Sequence, residues 1–329
     1  MRIVYMGTPD FAVPGLRALA EAGYSIPLTV TQPDRPKGRG GRLAPSPVKQ
    51  TALALGLEVF QPERVRSAES LDAIRRAEPD LIVVAAYGQI LPKTVLDLPP
   101  FGCLNVHASL LPALRGAAPI HWAVLNGCAK TGITMMQMDE GMDTGAIWLQ
   151  REVDIPQEMT SGELHDALAQ LGAAILPETL ELLFKGELRP VPQDSAQATY
   201  APMLKKAHEW IRWERGAGEL RDQIRGLAPW PGASARFEGK TLKINEAAVL
   251  RREGAAGAES VDSAAEVGAN PGTVLGIVKN GNTKGFSVQT GAGALLVSRV
   301  KPEGRQSMDA LSFVNGYGLE VGYEFETGE

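Results

Sequence analysis

Asp80-Leu-Ile-Val-Val-Ala-Ala-Tyr87 is a strand-length run, apolar at every position between its ends. A strand with one wet face alternates apolar and polar residues. A continuous apolar run marks a strand covered on both faces, as at the centre of a parallel sheet. Working outward, Arg2–Gly7 has the same character and is followed by Gly7-Thr-Pro-Asp10 and a helical pattern through Ala22. Further strands are predicted at Pro27–Gln32, Gly102–Val106, Lys130–Met138 and Ala146–Ile155, with helices near 47–55 and 68–77. A long helix runs from about Ser161 to Phe184, capped by Thr160 or Ser161 and stopped near Gly186. Strands alternating with helices predict an α/β fold, a doubly wound Rossmann-like and mostly parallel sheet.

The pattern changes after residue 188. Residues 189–206 lack periodicity and carry three prolines, which reads as a linker. Beyond a helix at 217–226 come short strands separated by Gly-rich turns, at 233–237, 240–250, 272–279, 284–290 and 293–301. These predict a small OB-like β-barrel, with the Ala/Gly/Glu/Ser-rich stretch 253–270 as a flexible loop inside it. The expected domains are a catalytic one over 1–188, a linker over 189–206 and the OB-like one over 207–329.

Composition narrows the class. The 329 residues are 44% hydrophobic and 22% charged, as in soluble globular proteins. The chain enters a strand at once, so no signal peptide is expected, nor an apolar run long enough to span a membrane. Cys103 and Cys128 are too few for a disulfide framework and fit free thiols in a reducing cytoplasm. Net charge is −5, but 202–252 holds 11 basic against 6 acidic residues and 31–49 holds five against one. Two basic zones on an acidic chain point to a polyanion contact on one face, against the alternative of solvated surface.

The chemistry sits at strand ends. Asn105 and His107 lie two residues apart where a strand runs out, so they share a face. An amide donor beside a titratable imidazole suits acyl transfer: one group for an oxyanion, one for a proton. The Gly-containing turn Gln137–Gly145 presents Asp143 near a neighbouring strand end and completes a trio. Other arrangements fit worse. Gly7-Thr8-Pro9-Asp10 lacks the glycine pattern of a dinucleotide site, which argues against a nicotinamide oxidoreductase. Cys103, His107, His121 and Cys128 do not have finger spacing, so no metal is expected. Ser109 is not in a nucleophile elbow. Gln32–Arg42, with its cations, glycines and prolines, reads as an extended, mobile loop able to hold phosphates. Trp210, Trp213 and Trp230 read either as base-stacking residues or as core.

These motifs together resemble one family. Gly-Thr-Pro-Asp-Phe (7–11), Thr-Gln-Pro-Asp-Arg-Pro (31–36), Gly-Arg-Gly (38–40), Pro-Ser-Pro-Val-Lys (45–49) and Ala-Tyr-Gly-Gln-Ile-Leu-Pro (86–92) carry part of it. Asn-Val-His-Ala-Ser-Leu-Leu-Pro (105–112), Arg-Gly-Ala-Ala-Pro-Ile (115–120) and Gln-Met-Asp-Glu-Gly-Met-Asp-Thr-Gly (137–145) carry the rest. The chain is similar to the methionyl-tRNA formyltransferases, within the formyltetrahydrofolate-using superfamily. The resemblance implies transfer of a formyl group from 10-formyltetrahydrofolate to methionyl-initiator tRNA, with Asn105, His107 and Asp143 catalytic. It implies folate contacts at Tyr87, Gly88, Gln89, Ile90, Leu91, Ser109, Leu110, Leu111, Pro112 and Asp139. It also implies tRNA contacts at Arg35, Lys37, Arg39, Arg42, Lys205 and Lys206. Asp143 is expected either to orient His107 and favour its charged form or to accept the ammonium proton through a water. A monomeric cytoplasmic enzyme with no metal and no membrane contact is expected. The alternative is a sibling formyltransferase acting on an amino sugar or glycinamide ribonucleotide. Two departures from the family pattern, Ala113 and the 253–270 stretch, leave the trio untouched.

Overall fold

A computed structural model describes residues 1–37, 41–250, 268–278, 284–326 and 328. They form two units, described separately. The first comprises Met1–Ile120, Lys130–Asp154 and Glu163–Pro202; the second comprises His121–Ala129, Ile155–Gly162 and Met203–Glu329.

In the first unit the strands are β1 (Arg2–Gly7), β2 (Ser25–Val30), β3 (Arg35–Lys37), β4 (Arg42–Ala44), β5 (Val59–Phe60) and β6 (Leu81–Ala85). They continue with β7 (Cys103–His107), β8 (Lys130–Gln137) and β9 (Ile147–Asp154). Seven form one sheet in the order β5-β2-β1-β6-β7-β8-β9. Pairing is parallel from β5 to β7 and antiparallel from β7 to β9. Every residue of β6 is buried, as its apolar run requires. β6 stops where Ala86 turns into the left-handed region at φ +46°. The strand order reverses between β1 and β6, and the loops beyond the carboxyl ends there form the place where open α/β sheets bind ligands.

Helices α1 (Val13–Glu21), α2 (Pro47–Ala54), α3 (Ala68–Arg76) and α4 (Lys93–Leu96) precede α5 (Pro119–Leu125) and α6 (Ser161–Phe184). The starts of α2 and α3 are set by serine caps. Ser46 accepts from the Lys49 amide and Ser67 from that of Ser70, satisfying N–H groups that lack an intrahelical partner. The 24-residue α6 is long and apolar enough by length and mean composition to cross a membrane, although it holds no uninterrupted apolar run of that length. It also carries Glu163, Asp166, Glu178 and Glu181. Its Leu164, Leu168, Leu176 and Leu180 are fully buried. Each such leucine contributes about 1.5–3 kcal/mol of burial.

Two segments depart from the sequence expectation. The described residues of the basic loop pair as an antiparallel ribbon, Arg35 with Ala44 and Lys37 with Arg42. Asp34 anchors its base, accepting from Lys49 Nζ at 2.8 Å and Gln61 Nε2 at 2.7 Å. The expected linker is bound along the first unit. Val191 and Ile147 exchange two backbone hydrogen bonds of 2.8 Å. Arg115 N donates to Thr199 O at 2.9 Å, and Ala201 N donates to Arg115 O at 2.8 Å. A segment that pairs as an irregular extended strap has no period to read.

The second unit is antiparallel. Strands β10 (Ala233–Phe237), β11 (Lys240–Leu250), β12 (Val274–Val278), β13 (Gly285–Gln289) and β14 (Ala294–Pro302) pair in the order β10-β11-β14-β13-β12. A short β15 (Met308–Asp309) joins β14. Helices α7 (Ala217–Gly226) and α8 (Ala310–Tyr317) complete it. The edges are joined by the C-terminal segment. Val274 N donates to Tyr323 O at 2.8 Å and Phe325 N to Gly272 O at 3.0 Å, while Glu326 bridges to Arg236 of β10. Closure of this kind removes the exposed edges of a sheet. Inside, Trp213 stacks on Phe325, and Phe237, Phe286 and Phe313 pack around them. Most of the stretch 253–270 lies outside the described residues.

Candidate active site

Asn105 and His107 stand on one face of β7 at its carboxyl end, with Asn105 between Val84 of β6 and Met136 of β8. Among the described residues the half-buried Asn105 side chain makes no hydrogen bond, so both its N–H donors are free. His107 is buried. Its Nε2 lies 3.2 Å from the Leu114 carbonyl, an acceptor only, so Nε2 carries the proton in that contact. Nδ1 faces Asp143, 3.7 Å from Oδ2, a close ion-pair distance but too long for a hydrogen bond.

Asp143 is delivered by the turn between β8 and β9. It sits at φ +54°, a left-handed conformation that Asp tolerates better than most residues. Its Oδ2 accepts from the Gly116 amide at 2.8 Å. Two residues later the turn closes at Gly145, where a Cβ would run into the Gln137 carbonyl. Only glycine permits that approach.

Burial pushes the His107 imidazole below its ordinary value of 6.5, against the smaller opposing pulls of Asp143 and the Leu114 carbonyl. Asp143 does favour the charged form, as expected, but its pull is the smaller one. Desolvation of a buried imidazolium outweighs one carboxylate at this distance. The downward shift favours a neutral imidazole, which with Nε2–H held by Leu114 O turns Nδ1 toward Asp143.

The remaining candidates divide by exposure. Ile90 is 92% exposed, whereas Leu91 and Leu111 belong to the buried set. Among the described residues the amides of Gly88, Gln89 and Ile90 make no backbone hydrogen bond, leaving open donors beside the sheet. Gln89 turns its side chain away, accepting from Val65 N at 2.8 Å. Tyr87 is buried with an unpartnered hydroxyl, and burial pushes its pKa up to about 12. Ser109 is fully buried and donates to Ala113 O at 2.6 Å. Leu110 and Pro112 are half-buried. Asp139 caps its own turn through Gly141 N and Thr144 Oγ1. Packing therefore occupies the side chains of Leu91, Ser109 and Leu111. The backbone of two of these residues is engaged as well: Ser109 O accepts from Thr134 Oγ1 at 2.6 Å, Leu111 N donates to Thr134 Oγ1 at 3.1 Å, and Leu111 O accepts from Gln150 Nε2 at 2.9 Å.

Arg35, Lys205 and Lys206 are exposed. Lys37 and Arg42 occupy the ribbon strands, and Arg39 lies outside the described residues. Trp210 and Trp213 are core residues, while Trp230 is 75% exposed. No cluster of three or more metal-ligating side chains occurs among the described residues.

The sequence reading missed the support of the site. Arg115 and Gly116 lay inside a quoted motif and Leu114 just before it, but none was connected to the trio. Gln193 lay in the expected linker, where no pattern marked it. Its amide reaches Asp143 O and Gly145 O, and its carbonyl accepts from the buried Arg115.

The formyl transferase family model matches residues 1–180 and the formyl transferase C-terminal domain model matches 203–318. A methionyl-tRNA formyltransferase of Pelotomaculum thermopropionicum is 48% identical, over 98% of this chain and 97% of the relative. That of Symbiobacterium thermophilum is 49% identical, over 100% of this chain and 96% of the relative. Among solved structures, HypX from Aquifex aeolicus in complex with tetrahydrofolic acid has a TM-score of 0.61 at 17% identity, covering 100% of this chain and 51% of HypX. At that identity the likeness is one of fold. The full-length relatives and both family models carry the conclusion that this chain belongs to the methionyl-tRNA formyltransferase family.

Proposed function

We propose that Asn105, His107 and Asp143 carry the transfer of a formyl group from 10-formyltetrahydrofolate to the α-amine of methionyl-initiator tRNA. The observation that carries this reading is the free amide of Asn105 on the same strand end as the His107–Asp143 pair. The fit to a folate rests on the open backbone donors at 88–90 and on that amide, which has no other partner. 10-Formyltetrahydrofolate supplies a formyl group on a nitrogen that can leave.

The attacking amine must be neutral, and a free α-amine has a pKa of about 8, so no strong base is needed to start. Asn105 donates to the formyl oxygen as it becomes negative while the new C–N bond forms. The Nε2 proton of His107 is committed to Leu114, so Nδ1 takes the proton lost by the amine. Asp143 stabilises the imidazolium formed at that moment. His107 returns the proton to the departing folate nitrogen as its C–N bond breaks. The products are the formylated aminoacyl-tRNA and tetrahydrofolate, and the scheme calls for no metal.

In the same reading the division lies at 1–188 and 207–329, the ribbon cations and the basic zone after 202 hold the tRNA, and the enzyme acts as a cytoplasmic monomer. The test offers labelled 10-formyltetrahydrofolate with charged initiator tRNA, charged elongator tRNA and small amines. Label is expected in initiator tRNA. Incorporation only into amino sugars or small amines would overturn the reading.

A further inference from the structure

Gln193 does more than hold its own segment. Its Nε2 donates to Asp143 O at 2.8 Å and to Gly145 O at 2.7 Å. Its Oε1 accepts from Arg115 Nε at 3.1 Å and from a terminal guanidinium nitrogen of Arg115 at 2.7 Å. All four bonds go to groups that carry the trio. Asp143 O belongs to the residue that faces His107, and Gly145 closes its turn. Arg115 lies between Leu114, whose carbonyl holds His107 Nε2, and Gly116, whose amide holds Asp143 Oδ2.

One side chain therefore ties the two loops that meet at His107. A side-chain amide suits this task because it presents donors and an acceptor together. Arg115 is only 2% exposed, so its guanidinium depends on the partners it has inside the fold. The rest of the strap supports the same loop: Thr199 Oγ1 accepts from Leu114 N at 2.9 Å, and the Thr199 and Ala201 backbones pair with Arg115.

We propose that Gln193 is a positioning residue for formyl transfer, holding the Asp143 turn and the 114–116 loop in the register that sets Asp143 against His107. The proposal rests on the reading of Asp143 as a member of the trio. Misplacing a reacting group by about 1 Å costs up to about 100-fold in rate, so removal of the clamp is expected to act on turnover.

The test compares Gln193→Met, Gln193→Glu and Asp143→Asn in the full chain, measuring kcat, KM for both substrates, the pH profile of kcat and the melting temperature. Gln193→Met keeps the length and loses every bond. Gln193→Glu keeps an acceptor for Arg115 and sets a carboxylate against the two carbonyls, so it retains the anchor if the Met variant melts early. The expected result is a fall in kcat on the order of 10–100-fold in both Gln193 variants with KM nearly unchanged. In Gln193→Met the acid limb of kcat moves to lower pH, because His107 loses part of the opposing charge of Asp143. A purely structural residue would lower the amount of active enzyme and leave the limb in place. Asp143→Asn inactive with both Gln193 variants at full kcat and an unmoved limb would overturn the inference alone. Asp143→Asn at full activity would overturn the reading of the trio itself, and the inference with it.

Discussion

Replacing Asn105 separates catalysis from stability more cleanly than any other change in the site. Its amide makes no hydrogen bond among the described residues, and the residue is only half-buried. Asn105→Ala thus removes no existing partner and leaves no buried group unsatisfied, so the expected loss of stability is small, about 0.5–1 kcal/mol. Its catalytic cost is different in kind. A lost oxyanion donor typically lowers kcat by about 100–1,000-fold, or about 2.7–4 kcal/mol of transition-state stabilisation. The donor contributes when the formyl oxygen gains charge, so the loss belongs in kcat and not in KM. Asn105→Asp sharpens the comparison: it preserves shape and puts an acceptor where a donor is required. Single-turnover formylation of charged initiator tRNA under saturating folate measures the step, and thermal melting measures the fold. Near-normal kcat in Asn105→Ala would refute the reasoning, and so would a rise in KM that accounts for the whole defect.

The depressed His107 pKa gives a signed pH prediction. Since the unfolded imidazole titrates near 6.5 and the folded one below it, the unfolded chain binds the extra proton first as pH falls. The contribution of His107 to stability is thus complete above about pH 6.5 and declines below it, and the acid limb of kcat lies below 6.5; denaturant midpoints and rates across pH 5–8 measure both. Gly116→Ala combines φ +119° with a Cβ that would sit 2.8 Å from the Ala201 carbonyl. It is expected to cost about 1–3 kcal/mol and to lower kcat by moving the amide that holds Asp143; melting and turnover test it together. Arg39→Ala and Arg42→Ala are each expected to weaken tRNA binding and to reduce the slope of log affinity against log salt by roughly 1, read by titration at several ionic strengths. An unchanged slope would assign both cations to solvated surface.

The parts of the fold that were legible are those with a period. The apolar run at 81–85 and the helix at 217–226 appear where their patterns placed them, because burial enforces the pattern locally. Strand ends shifted by a few residues where one backbone dihedral decides, as at Ala86. The strap at 189–202 was not legible. It pairs with partners distant in sequence, through backbone bonds that any residue except proline can make. Segment 322–326 was invisible for the same reason. Within the site, Asn105 and His107 were readable from their two-residue spacing, and Asp143 from the company of glycines. The neutral state of His107 was not, because burial is a property of the packed fold. Nor was Gln193, whose four bonds are geometric and leave no mark on the residues around it.

The C-terminal segment also orders events in time. Trp210 and Ile211 already meet the outer edge of β10 at Ser234, but Arg236 of β10 and Val274 of β12 gain their partners there only when Tyr323–Glu326 reaches them. A growing chain emerges at about 5–20 residues per second, so roughly 4–18 seconds separate the end of β10 at Phe237 from the residues that cover it. During that interval the nascent barrel presents open positions on β10, and on β12 once that strand is made, the kind of surface that pairs with neighbouring chains. Residues 323–326 are therefore the ones that end its exposure to misassembly.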